Sequence, residues 1–159
     1  MIRMDINGLL ETAKKNLEND KWLTPVLFIE TEKDIKIIGL IVKLEDVDKR
    51  EMMMNIGKKF AREQQKKIQS LSFISEANIS RIKIGRKDTP VERYDAIVIA
   101  KLNIDTNEKE IVVQDFERSN DNIIFKDIRK DSNVQSVFLL EAFMEGYYQA
   151  QKDIIRYNK

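Results

Sequence analysis

Neither cysteine nor histidine occurs among these 159 residues. Without cysteine there is no disulfide framework, no thiolate nucleophile and no zinc ribbon. Without histidine, imidazole acid–base catalysis, serine or cysteine hydrolase triads and His-ligated metals are excluded. What is left to an enzyme is carboxylate, lysine, tyrosine or hydroxyl chemistry, with at most a hard metal on oxygen ligands. Proline and glycine are also scarce, at two and five, which argues against a flexible linker or a low-complexity tail. No stretch approaches the ~20 apolar residues of a transmembrane helix. The N-terminal MIRMDINGLLETAKKNLEND is charged throughout and has no apolar core of signal-peptide length. These absences lead us to expect a cytoplasmic protein without a membrane partner.

An excess of one charge sign is missing as well. The 28 basic and 27 acidic residues leave a net charge of +1, so no global field steers the molecule to nucleic acid or membrane. Any such attraction has to come from a local patch. Apolar residues make up 42%, enough for one core, and the length predicts a single domain over 1–159.

Hydrophobic periodicity supplies the elements. Ile6, Leu9, Leu10, Ala13 and Leu17 form one stripe of an amphipathic helix, capped by Asp5 or Asn7 and ending near Asn19-Asp20. Pro25 opens a strand at VLFIET, because proline cannot donate to a ladder and suits a strand's first position. Glu32-Lys33 turns the chain into a second strand over 34–43. Asp48 and Glu51 have capping-box spacing, and Met53, Ile56, Phe60 and Ala61 mark the buried side of a helix to about Lys67. QSLSFISEANISRIKIG alternates as a strand with a bend expected near Ser80.

Tyr94, Ala96, Val98, Ala100, Leu102 and Ile104 then form one face of a long strand, with Ile97 and Ile99 on the other. Turns at 105–107 and 119–121 separate it from KEIVVQDFER and NIIFKDI. Asp131 or Ser132 caps a last helix from about Asn133. VFLLEAFMEGYYQA is apolar around most of its circumference, so that helix is either sandwiched in the core or set against a second subunit. The order α-β-β-α-β-β-β-β-α predicts an α+β fold: one antiparallel or mixed sheet of five to six strands with helices packed on it.

Four groups of residues are candidates for function. The segment 49–67 holds seven bases (Lys49, Arg50, Lys58, Lys59, Arg62, Lys66, Lys67) against Glu51 and Glu63. Lys59, Arg62 and Lys66 share a face that suits a phosphate backbone; a solvated helix surface is the competing reading. Met52-Met53-Met54 reads as core and boundary packing, since three consecutive residues cannot all face one core. Glu30, Glu76, Glu92, Asp95, Asp115 and Glu117 include the acids a divalent-metal hydrolase would need, although a strand's solvent face is polar by alternation anyway. Tyr147-Tyr148, with Phe138, Phe143 and Tyr157, suits a core or a homo-oligomer contact through the C-terminal helix, and Gly146 permits a close helix approach.

Phe73-Ile74-Ser75-Glu76-Ala77, followed by Pro90, Arg93, Asp95 and Ala96, resembles the pattern of a group of short bacterial and phage-associated proteins. There a strand reading roughly SEAW precedes a Pro-x-x-Arg-x-acid loop that enters an apolar strand. Asn78 stands where that pattern has tryptophan. The resemblance implies a setting and no mechanism. Glu76 and Arg93 lie near the ends of two segments read as adjacent strands, so a charge-assisted pair between them would fix the loop. Arg93, with Glu76 and Asp95, is thus a loop clamp or an anion contact. The reading of the whole is a non-catalytic binding or self-assembling protein with no cofactor. A nucleic-acid accessory protein and a carboxylate–metal hydrolase are the alternatives.

Overall fold

The computed structural model describes residues 5–40, 48–64, 66–81, 92–132 and 134–157. Asp5 caps the first helix, α1 (Ile6–Asp20), by accepting from the Asn7 amide at 3.0 Å. All five residues of the expected stripe are buried. The helix ends on Lys21, a non-glycine residue in the left-handed region (φ 66°), whose amide returns to the Leu17 carbonyl at 2.8 Å. Strands β1 (Val26–Thr31) and β2 (Ile35–Gly39) form a hairpin. Its turn is pinned by the Thr31 hydroxyl, which accepts from the Asp34 amide at 3.1 Å and donates to the Asp34 carboxylate at 2.7 Å. The end expected for the second strand, beyond Leu40, lies outside the described residues.

Asp48 accepts from the Glu51 amide at 3.0 Å and starts α2 (Lys49–Gln64). That helix stops short of Lys66 and Lys67, because Ile68 already begins β3 (Ile68–Arg81). Up to Arg81 no bend interrupts β3, which pairs with β4 (Glu92–Asn103) in unbroken register from Ser70↔Asn103 to Arg81↔Glu92. Ile82 and Ile84, to which the phase is expected to move, lie outside the described residues. Strands β5 (Lys109–Ser119) and β6 (Asn122–Asp131) complete an open antiparallel sheet in the order β2-β1-β3-β4-β5-β6. The last helix, α3 (Phe138–Tyr157), starts later than expected, after Val137. The Val137 carbonyl accepts the first helical bond, and its amide donates to Glu141 at 2.9 Å. The fold is α+β with the predicted element order.

The register shifts between Glu30 and Thr31 opposite β3 and again between Gln114 and Phe116 opposite β6. At the second shift the buried Gln114 amide donates to the carbonyls of Lys126 (3.0 Å) and Asp127 (3.4 Å), which the irregular ladder leaves over.

The two faces of the sheet build two cores. On one, α1 covers Ile74, Ile97, Ile99, Val112 and Phe116. On the other, α2 and α3 pack as a pair over Leu27, Ile29, Leu71, Phe73 and Leu102. Alternation along the strands assigns the faces, since side chains at i and i+2 point the same way. The helix pair is unusually close at two glycines. A methyl at Gly57 would overlap the Phe143 carbonyl, and one at Gly146 would overlap the Met54 carbonyl. The reading of α3 as sandwiched holds for its inner side, where Leu140, Phe143, Met144, Tyr147 and Ala150 are buried. No helix among the described residues is long and apolar enough to cross a membrane.

Candidate functional site

Glu76 and Asp95 do converge, and the cation between them is Arg118. Phe116 belongs to the α1-covered face, so Arg118, two residues on along β5, projects on that face too. Its guanidinium donates to Glu76 Oε1 at 2.8 Å and to Asp95 Oδ2 at 3.0 Å. The same group donates twice to the Lys21 carbonyl, from Nε at 3.2 Å and from Nη2 at 3.0 Å. Glu76 Oε1 also accepts the Leu23 amide at 2.8 Å, and Asn78 donates to Asp95 Oδ1 at 3.3 Å. Trp22 lies over the guanidinium with its ring 4.4 Å away, while remaining 69% exposed.

The physical sense of this cluster is a clamp. The backbone of Lys21 to Leu23 leaves α1 in a left-handed turn and presents a carbonyl and an amide that no helix or ladder satisfies. Arg118 takes the carbonyl and Glu76 takes the amide, so the connection from α1 to β1 is tied to β3 and β5 at once. Two carboxylates on one guanidinium leave the cluster negative overall, and an anion would have to displace one of them. The geometry therefore favours a clamp over an anion contact. A shallow pocket of about 270 Å³ adjoins it, lined by Trp22, Arg118 and the β5–β6 turn.

Arg93 sits on β4 opposite Ser80 and is exposed. The clamp that sequence reasoning sought at Arg93 is filled by Arg118 among the described residues. Hairpin counting gives the missing signal. The β4–β5 ladder pairs Asp95 with Phe116, so the turn at 105–107 places Arg118 beside Arg93 and within reach of both acids.

Of the remaining acids, the Glu92 side chain lies outside the described residues, and Asp115, Glu117 and Glu30 each meet a partner of their own. Asp115 takes Arg129 at 3.0 and 3.2 Å, and that guanidinium lies 5.6 Å from the Tyr94 ring. Glu117 faces Lys126 at 3.6 Å, and the buried Glu30 accepts from Ser70 at 3.4 Å. Glu30, Ser70, Lys101 and Asn103 line a second, polar pocket of about 250 Å³ on the α1 side of the sheet. Among the described residues, no three acidic side chains form a group that could hold a metal ion.

The basic segment is less exposed as a unit than its sequence implies. Lys59 and Arg62 are exposed on α2. Lys66 lies past the helix end and binds Asp34 at 2.8 Å; this pairing, after the upward push of partial desolvation is outweighed, and the Thr31 hydroxyl hold the Asp34 carboxyl below its ordinary range. Lys67 meets Asp105 at 3.6 Å and Arg50 meets Glu145 at 2.6 Å. Of the methionines, Met53 is fully buried, while Met52 and Met54 pack at the core boundary.

Large apolar side chains are exposed on the edge strands, at Ile35, Ile37, Ile124 and Ile128, and on the outward side of α3. Phe138, Tyr148 and Ile155 are 58%, 47% and 59% exposed on a helix whose inner side is core. Tyr147, one residue before Tyr148, is buried; its hydroxyl donates to the Lys66 carbonyl at 3.1 Å and its acidity is weakened by that burial. Comparison with family models, curated proteins and solved structures yields no match for this chain. The fold and site define an α+β protein with an open six-stranded sheet, an internal arginine clamp and three exposed large apolar side chains on its last helix.

Proposed function

We propose that this chain is a non-catalytic protein that acts by protein–protein contact, self-assembly included, through the outer side of α3. The observation that carries the reading is the exposure of Phe138, Tyr148 and Ile155 on the outer side of a helix whose inner side is core. These three side chains, interleaved with Glu141, Glu145 and Lys152, leave apolar surface in water at a cost of roughly 25 cal/mol per Å², which a protein contact would recover. A cytoplasmic setting is part of the same proposal. The test is multi-angle light scattering of the purified protein, alone and with Tyr148→Asp. A mass above one subunit that falls in the variant supports the reading; a single-subunit mass at all concentrations, together with an unaltered profile in the variant, counts against it.

A second reading, a nucleic-acid accessory role, is favoured by Lys59 and Arg62, which are exposed on α2 and make no ion pair among the described residues. Duplex affinity that falls steeply with salt and is lost in Lys59→Glu/Arg62→Glu is its signature. Absence of binding at low salt removes it.

A further inference from the structure

We propose that a second copy of this chain covers the outer side of α3, laid antiparallel about a two-fold axis. The inference rests on the reading of α3 as a contact surface and adds the partner and its register. Phe138, Glu141, Glu145, Tyr148, Lys152 and Ile155 follow one another at steps of three, four, three, four and three. That is the seam spacing of two helices packed side by side. All six reach solvent, Glu141 least.

The step pattern reads the same from either end. An antiparallel copy therefore meets the stripe position for position: Phe138 against Ile155, Glu141 against Lys152, Glu145 against Tyr148, each contact made twice, as a two-fold interface requires. Apolar side chains close both ends, and a carboxylate faces an ammonium inside them. Nearest the axis, a carboxylate faces a phenol hydroxyl. A parallel copy would set Glu141 on Glu141 and Lys152 on Lys152, and like charges in register repel. Charge thus selects the direction as well as the partner.

The side chains are also held in place before any partner arrives. Glu141 is anchored by the Val137 amide at 2.9 Å and Lys109 at 3.1 Å. The Tyr148 ring is backed edge-on by Tyr147 at 5.7 Å. Arg50 holds Glu145 at 2.6 Å on the flank. Preformed side chains lose less freedom on association. One helix face is a small interface, so the dimer is weak and concentration-dependent.

The absence of native cysteine makes a disulfide test clean. Positions 138 and 155 are about 25 Å apart along one helix at 1.5 Å per residue, so they cannot link within a subunit. Phe138→Cys and Ile155→Cys proteins are oxidised separately and mixed, with circular dichroism confirming that both are folded. The expected result is a covalent dimer in the mixture and little in either protein alone, since a disulfide needs Cα atoms within about 7 Å. Efficient self-linking of Phe138→Cys alone shows a parallel pair and overturns the inference. No cross-link in any combination, from a wild-type protein whose mass exceeds one subunit, overturns this register and leaves the α3 reading standing on another partner geometry. A wild-type mass of one subunit up to roughly millimolar concentration overturns the second copy as partner. As an independent check, Lys152→Glu should weaken association several-fold without moving the melting temperature; equal association in the variant counts against the charge pairing.

Discussion

Arg118 Nη2 and Glu76 Oε1 lie 2.8 Å apart although their strands, β5 and β3, are separated by β4. The pair spans that strand and reaches the chain leaving α1, so it joins three elements where an ordinary ladder joins two. Partial burial, with side-chain exposures of 27% and 20%, puts it between a surface ion pair and an interior one. Arg118→Leu should therefore destabilise the protein by about 1–3 kcal/mol, read as a lower urea midpoint. Arg93→Ala, at an exposed site, should change it by less than about 0.5 kcal/mol. Equal effects from the two variants would remove the clamp.

Gly57 and Gly146 make the α2–α3 contact through backbone, each lying under a carbonyl of the other helix. Alanine is the better helix former by roughly 1 kcal/mol, so propensity alone predicts that either Gly→Ala change stabilises. The overlap should reverse the sign, with a net loss of about 1–3 kcal/mol. Gly8, in α1 with open space where a Cβ would go, is the control, and Gly8→Ala should gain up to about 1 kcal/mol. Thermal unfolding of the three variants checks the order.

Glu141 links stability to pH. Desolvation pushes its carboxyl up, but the hydrogen bonds from the Val137 amide, Lys109 and Ser136 outweigh it and hold the group below its ordinary value of 4.5. The folded state then binds the proton less readily than the unfolded one. Its stabilising contribution is present above the unfolded value and lost as pH falls through the folded one. Glu141→Gln should cost about 1 kcal/mol at neutral pH, a modest figure because the carboxylate is partly open to water. The difference from wild type should shrink as the solution is acidified through that range. A difference that stays constant into acid would show that the carboxylate charge plays no part.

Much of this architecture is legible in the sequence because the periodicities are strong. The α1 stripe at Ile6, Leu9, Leu10, Ala13 and Leu17 and the Asp5 and Asp48 caps are local signals, and local forces decide them. The boundaries that differ have tertiary causes. Residues 66 and 67 suit a helix, yet β3 begins at Ile68 and pairs with β1. The start of α3 is fixed by Glu141 reaching back to Val137 and across to Lys109, a strand away. Of the clamp, Glu76 and Asp95 are visible as polar residues interrupting apolar strands. Arg118 is not, since its role depends on register across three strands and on where Lys21 leaves its helix. The stripe on α3 is hidden for the opposite reason: VFLLEAFMEGYYQA looks apolar all round, and only packing shows which side the sheet and α2 take.

The central claim is that copies of this chain associate through the outer side of α3. Sedimentation equilibrium of wild type beside Phe138→Ser/Tyr148→Ser/Ile155→Ser measures this most directly, because all three sites are exposed and the changes should leave the fold intact. We expect the wild-type mass to rise above one subunit with concentration and the variant to stay at one subunit with an unchanged circular dichroism spectrum. Two proteins that sediment identically as single subunits would contradict it.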